Sequence, residues 1–306
     1  MKIIRKLKFL LYRLKWYLAY WINFKAPIHI DVELTSYCNL DCAFCFRRNK
    51  NFDDGFIDFW IVEKILKEAI ELGVQSVKFN WRGEATLYPL YLQAINLAYA
   101  LGFFIYINTN LTLNYSSDFL ETIASKVDIL KVSFDSTRKH VYEKIRKKAD
   151  FYKVIDNLYF LEYLRKIFKM PKLIISRRTT NIKDLESNKE FKKWFKKMSL
   201  KYVKFDIKPA MKRNQEKIFK TKIVNKNKRK YCGHPSRRLV ISWEGNVYVC
   251  CVAYNEPQEL YLGNIKKESL KSIWNNKKRK ELIKNLKKNI FTNKMCKFCT
   301  SRDAYK

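Results

Sequence analysis

The residues best equipped for chemistry in this chain are its eight cysteines, which fall in three groups: Cys38, Cys42 and Cys45; Cys232, Cys250 and Cys251; and Cys296 with Cys299. Clustered thiols serve either as disulfide partners or as metal ligands. Disulfide frameworks belong to oxidising compartments and mostly to short secreted chains. This chain has 306 residues, and Arg13 and Lys15 interrupt its N-terminal apolar run with no small-residue cleavage site after it. The cysteines therefore read as reduced metal ligands, which places the protein in the cytoplasm. The three histidines, His29, His140 and His234, form no cluster with carboxylates along the sequence. Classical acid–base hydrolysis thus finds no support, and each histidine reads as an ordinary core or surface residue.

The first group stands in the run Tyr37-Cys38-Asn39-Leu40-Asp41-Cys42-Ala43-Phe44-Cys45, directly after a strand pattern. Zinc usually takes four ligands. A [4Fe–4S] cubane also normally takes four cysteines, so three thiolates leave one iron open. The CxxxCxxC spacing, the aromatic Phe44 before the third cysteine and the position after a strand resemble the radical S-adenosylmethionine (SAM) superfamily. The resemblance implies that SAM chelates the open iron and is cleaved reductively to a 5′-deoxyadenosyl radical, which takes hydrogen from an unactivated C–H bond. It also implies a reducing partner such as flavodoxin or ferredoxin.

Further motifs carry the same resemblance. Arg82-Gly83-Glu84-Ala85 is similar to the family's Gly-Gly-Glu-Pro, which binds the amino group of SAM; Arg82 and Ala85 depart from it, while Gly83 and the Glu84 charge remain. Asn108-Thr109-Asn110-Leu111 stands where relatives often show Thr-Asn-Gly, with Leu111 in place of the glycine. Val132-Ser133-Phe134-Asp135 resembles Val-Ser-Ile-Asp, and Arg146 matches an arginine that pairs with the SAM carboxylate in relatives. The implied cofactor-binding set is Phe44, Gly83, Glu84, Asn110, Ser133 and Arg146.

The second set is Cys232, then Gly245-x4-Cys250, then Cys296-x2-Cys299. It resembles the SPASM or twitch domain appended to many radical SAM enzymes, which implies an auxiliary [4Fe–4S] cluster closed by four cysteines and suited to electron transfer. The chain stops at Lys306, so one auxiliary cluster is expected. The competing reading is a four-cysteine zinc site. Cys251 is left over, and filler is its simplest role.

Elements able to position these residues are legible. Strand patterns at Ile28–Leu34, Ser76–Trp81, Phe103–Thr109, Ile129–Phe134, Lys172–Ser176 and Val203–Lys208 alternate with helical ones such as Ile61–Leu72, Tyr91–Leu101 and Val154–Ile167. This alternation predicts a parallel sheet with covering helices. The expected fold is α/β: a partial (β/α)6 TIM-like barrel with a small C-terminal α+β auxiliary-cluster domain. The motifs all follow strands, where barrels keep their chemistry. The expected organisation is a basic amphipathic helix at 1–25, the radical SAM barrel at 26–210, a basic linker at 211–231 and the auxiliary-cluster domain at 232–306.

The net charge of +34 points to an anionic partner or to a lysine-rich proteome, and by itself names no partner. In residues 2–24, Ile3, Ile4, Leu7, Leu10, Leu11, Leu14, Leu18, Trp21 and Ile22 follow a helical period, and no acidic residue precedes Asp31. Such a helix either packs on the barrel or a partner, or lies on an anionic membrane surface, peripherally; it is too short in uncharged run to span one. The expected activity is hydrogen abstraction from a peptide or small polar molecule, with the auxiliary cluster transferring an electron. The alternatives are a non-catalytic iron–sulfur or zinc protein that binds nucleic acid, and an RNA-modifying radical SAM enzyme. Nucleic acid is the less favoured partner, since no RNA-binding signature accompanies the many aromatics.

Overall fold

The computed structural model describes residues 2–49, 53–168, 172–180, 182–198, 200, 203–209, 232–254 and 257–299. The segment 211–231, read as a basic linker, lies outside the described residues.

All six expected barrel strands form. They are β1 (His29–Val32), β3 (Ser76–Lys78), β4 (Phe104–Thr109), β5 (Ile129–Ser133), β7 (Lys172–Thr179) and β8 (Lys204–Pro209). They pair in parallel in that order. Parallel neighbours need crossovers. These are α2 (Phe59–Glu71), α3 (Tyr91–Ala100), α4 (Ser117–Lys126), α5 (Lys139–Ile145) with α6 (Phe151–Ile167), and α7 (Asn188–Lys197). Ser116 caps α4, Asp150 caps α6, and Ser187 with Glu190 forms a capping box on α7, satisfying backbone N–H groups that a helix start leaves open. Buried Ile61, Ile65, Ala94, Ile95, Leu120 and Leu158 join these helices to sheet residues such as Val77, Ile105 and Leu130 in one core.

A short antiparallel pair, β2 (Asp41–Cys42) with β6 (Arg146–Lys147), sets Cys42 opposite Arg146. It was not legible from the sequence, because two-residue strands carry no period.

The C-terminal segment extends the barrel sheet rather than forming its own. β9 (Arg238–Ile241) pairs in parallel with β1, and the antiparallel strands β10 (Asn246–Tyr248) and β11 (Tyr261–Asn264) follow. Gly245 takes φ +87 in the turn between β9 and β10, a conformation that favours glycine. Helices α8 (Leu270–Trp274), α9 (Lys277–Lys287) and α10 (Lys294–Phe298) are the last elements of the described residues. Lys64 of α2 donates to the Ile265 carbonyl at 2.7 Å, and Glu68 accepts from the Leu270 N–H at 2.6 Å, so the two halves are also joined outside the sheet.

The N-terminal helix α1 (Lys2–Leu18) packs across the N-terminal ends of the strands. Phe9 and Tyr12 meet Phe104, Trp16 meets His29, and Arg5 pairs with Asp128 at 2.7 Å. The face that packs is thus the aromatic one. The leucine stripe that carries the sequence period points outward.

Candidate active site

The cysteine loop leaves β1 at the C-terminal end of the strands and is held from both sides. The Thr35 hydroxyl accepts from Tyr37 N–H at 3.0 Å and donates to the Gly55 carbonyl at 2.8 Å; the Ser36 hydroxyl accepts from Gly55 N–H at 2.9 Å. Arg47 donates to the Ser36 carbonyl and pairs with Asp54. Further along, Ala43 N–H donates to the Ile145 carbonyl and Cys45 N–H to the Cys42 carbonyl.

Cys42 is buried, and Cys38 and Cys45 are half-buried. Burial pushes the Cys38 thiol up to about 12, with the nearby Glu84 carboxylate adding to the shift. Burial likewise raises Cys42, opposed by the Arg146 guanidinium. Buried thiols of this kind become thiolates when a metal replaces the proton, and Cys42 feels the charge of Cys45 as Cys38 feels that of Cys42. Among the described residues, no three His, Cys, Asp or Glu side chains converge on a single ion. The fit to a cubane rests on the donor chemistry: three cysteine thiols on one eight-residue loop would ligate three irons and leave the fourth open.

The Arg82-Gly83-Glu84 turn presses onto this loop. Glu84 N–H donates to the Tyr37 carbonyl at 2.8 Å. A Cβ on Gly83 would lie 2.4 Å from the Tyr37 oxygen and 2.5 Å from the Thr35 oxygen, so only glycine permits the approach. The Glu84 carboxylate is buried and accepts from Asn110 N–H at 2.7 Å and from the Thr86 hydroxyl at 2.9 Å. Burial raises its pKa against those hydrogen bonds. Such a buried acid favours a cationic neighbour.

Asn110 uses its side chain to join loops. Its Nδ2 donates to Asn39 Oδ1 at 2.8 Å, while its Oδ1 accepts from the Thr112 N–H and hydroxyl. Leu111, where relatives carry glycine, adopts φ +58. That left-handed conformation costs an L-residue about 1–2 kcal/mol. Asn157 fixes it by donating to the Leu111 and Leu113 carbonyls, both at 3.0 Å.

Ser133 ends β5 half-buried, in register with Ser176. Asp135, fully buried beyond it, pairs with Arg146 (Nε to Oδ2, 2.7 Å). The same guanidinium lies 3.7 Å from Cys42 Sγ and 5.6 Å from the Phe44 ring centre. Arg146 is therefore anchored to Asp135 and turned toward the cysteine loop. All six expected cofactor-binding residues stand at the C-terminal ends of β1, β3, β4 and β5 or, for Arg146, on β6 beside Cys42.

Sequence reasoning missed several supports. Arg82, a departure from the family motif, forms a bidentate pair with fully buried Glu33 (2.6 Å from Nη2 and 2.8 Å from Nε) and reaches Glu244 of the C-terminal hairpin at 3.1 Å. Trp81 donates its indole N–H to the Cys251 carbonyl at 2.7 Å and meets the Tyr248 ring. Asn39 and Tyr115 complete the Glu84 surroundings, Asn39 through Asn110 and Thr112, Tyr115 through Thr86 at 3.0 Å. The only sequence signal for the Arg82 network was an acidic residue at the buried end of β1.

Cys232, Cys250, Cys296 and Cys299 line one small cavity together with His234 and Met295. Asn293 caps the Cys296 turn at 2.7 Å, and Glu259 accepts from Lys294 and Met295 N–H. Four thiols around a shared, otherwise largely apolar space fit a fully ligated cluster. Cys251 is not part of that wall; Arg238, paired to Asp31 at 3.0 Å, is among its charged neighbours.

The fold together with the family-model matches defines a radical SAM protein. The radical SAM superfamily model matches residues 32–175, and the chain belongs to that superfamily. Residues 232–300 match SPASM, an iron–sulfur cluster-binding domain, so the chain is a SPASM-type radical SAM enzyme that uses SAM, a [4Fe–4S] cluster and auxiliary iron–sulfur chemistry. Solved structures are similar in fold. Streptococcus suis SuiB bound to the precursor peptide SuiA has a TM-score of 0.61 at 17% identity, over 96% of this chain and 73% of that one. anSMEcpe with AdoMet and the Kp18Cys peptide gives 0.61 at 18%, over 91% and 88%. BtrN with AdoMet and 2-DOIA gives 0.53 at 16%, over 87% and 89%. A tungsten-containing aldehyde ferredoxin oxidoreductase cofactor-modifying protein from Pyrococcus furiosus is 30% identical over 108 residues, which span 35% of this chain and only 30% of that protein.

Proposed function

We propose that Cys38, Cys42 and Cys45 hold the SAM-binding [4Fe–4S] cluster, that Glu84 receives the amino group of SAM, and that the enzyme removes hydrogen from a peptide or small polar substrate. When bound, the cluster and SAM together supply a 5′-deoxyadenosyl radical. The observation that carries this reading is the clamp between two loops: the Glu84 turn is bonded to the Tyr37 carbonyl one residue before Cys38, with Gly83 allowing the contact.

The chain's own residues then have definite tasks. Glu84, destabilised as an anion by burial, gains a cationic partner when the SAM amino group arrives. Asp135 holds Arg146 so that its positive charge stays beside Cys42 and favours the thiolate over the thiol. Phe44 offers an aromatic face beside Arg146, and Ser133 a hydroxyl at the end of β5, groups suited to a nucleoside. Asn110 keeps the cysteine loop, the β4 end and Glu84 in register.

Cys232, Cys250, Cys296 and Cys299 would hold the auxiliary cluster, which would supply a one-electron acceptor suited to a net two-electron dehydrogenation of the substrate. A reduced flavodoxin or ferredoxin is the electron donor. The substrate class is supported by the relatives, whose structures hold a precursor peptide in one case and 2-DOIA in another.

The test is anaerobic reconstitution, iron and sulfide analysis, reduction with dithionite and measurement of 5′-deoxyadenosine from SAM. The expected result is SAM cleavage that Cys38→Ala, Cys42→Ala or Cys45→Ala abolishes while the auxiliary iron is retained. A fully iron-loaded wild type that yields no 5′-deoxyadenosine would overturn the proposal.

A further inference from the structure

We infer that α1 docks the enzyme on an anionic lipid bilayer, with its leucine stripe in the interface and the substrate mouth turned toward water. The helix has two working faces. At about 100° per residue, Phe9, Tyr12, Trp16 and Ala19 fall on one side, and this side is packed on Ile28, Phe104 and Tyr106. Leu7, Leu10 and Leu14 fall within roughly 60° of one another on the opposite side. They are 58%, 62% and 54% exposed, and Trp21, beyond the helix end, is 82% exposed. Leu11, Tyr17 and Ile22 are exposed as well. A contiguous apolar patch of this kind marks an interaction surface.

Charge decides the occupant. Exposed Lys8 and Lys15 border the stripe on one side and exposed Arg13 on the other. No acidic residue precedes Asp31, and the net charge is +34. A second copy would bring the same basic borders face to face. A bilayer with anionic headgroups takes the leucines below the interface and neutralises both borders at headgroup level. The helix lies flat, because no helix of the described residues is long and apolar enough to cross a membrane.

The packing fixes the orientation. α1 touches Phe104 and His29, the first residues of β4 and β1, and Asp128 just before β5. The cysteine loop, Glu84, Asn110 and Ser133 lie at the opposite strand ends. A bilayer under α1 therefore leaves the mouth open to a water-borne substrate. This orientation rests on the proposed site; the docking does not.

The experiment is cosedimentation of the full chain with vesicles of phosphatidylcholine alone or mixed with phosphatidylglycerol. Binding is expected only with the anionic lipid, with a blue shift of fluorescence that Trp21→Phe diminishes. Leu10→Glu with Leu14→Glu should weaken binding by roughly 100-fold, and Lys8→Glu with Lys15→Glu should remove its salt-sensitive part. These side chains lie outside the core, so circular dichroism and iron content should match wild type. No affinity for anionic vesicles, affinity indifferent to the leucine changes, or a leucine-dependent dimer without vesicle binding would each refute the docking. On vesicles, hydrogen exchange should slow in α1; slowing around Tyr37 and Phe56 instead would refute the orientation. Neither readout depends on SAM cleavage.

Discussion

Replacing Arg82 by Met tests whether the Arg82-Gly83-Glu84 turn, the proposed SAM site, depends on a buried ion network. Arg82 is the chief partner of Glu33, a carboxylate with no solvent exposure, and it bonds that carboxylate through its backbone N–H, Nε and Nη2. Burial already raises the Glu33 pKa even with the guanidinium beside it. Met fills similar volume but leaves an uncompensated buried charge, a loss of about 3–5 kcal/mol. That corresponds to a fall in Tm of roughly 6–10 °C at about 2 °C per kcal/mol for a chain of this size. The pH dependence has a definite sign. For an acid whose folded pKa lies above its unfolded one, stability falls as pH rises between the two. Losing Arg82 widens that window, so the deficit should be largest near neutral pH and should shrink on acidification. Anaerobic denaturation of R82M, E33Q and the double variant at several pH values gives the measurement. E33Q added to R82M should recover much of the loss, because a neutral amide no longer needs the cation. A single variant within about 0.5 kcal/mol of wild type, or a deficit that grows at low pH, refutes the reasoning.

Other expectations follow from neighbouring contacts. Gly83→Ala must move a backbone by close to 1 Å to relieve contacts of 2.4 and 2.5 Å, and misplacement on that scale costs about 100-fold in activity; SAM affinity by equilibrium dialysis should fall while iron content holds. Glu84→Gln keeps the bond from Asn110 N–H, meets Thr86 by donating its amide to the hydroxyl instead of accepting from it, and removes the charge, so SAM should bind at least about tenfold more weakly, with little loss of stability because burial disfavours the anion. Cys251→Ser should keep the full auxiliary iron count and its electron paramagnetic resonance signal, whereas Cys250→Ser should lose both, since Cys250 and not Cys251 faces the four-thiol cavity.

Much of this site was visible in the sequence because its parts are local. Three thiols within eight residues and a glutamate after the next barrel strand need no tertiary knowledge. Other features depend on distant partners. Arg82 looked like a flaw in a glycine motif until Glu244, far along the chain, appeared beside it. Leu111 kept a conformation that glycine usually serves because Asn157 braces the loop. In α1 the period pointed to the leucines, yet the aromatic side was chosen for packing. Periodicity identifies an apolar face but not what it meets, and a helix with two such faces gives the sequence no means of ranking them.

The parallel pairing of β9 with β1 has a consequence for how the molecule can be divided. Cutting the chain after residue 210 would strip β1 of a neighbour along four register positions and leave a raw sheet border, the kind of surface that recruits stray strands and aggregates. The front half is thus not a module to be lifted out and fused elsewhere; the tail completes its architecture.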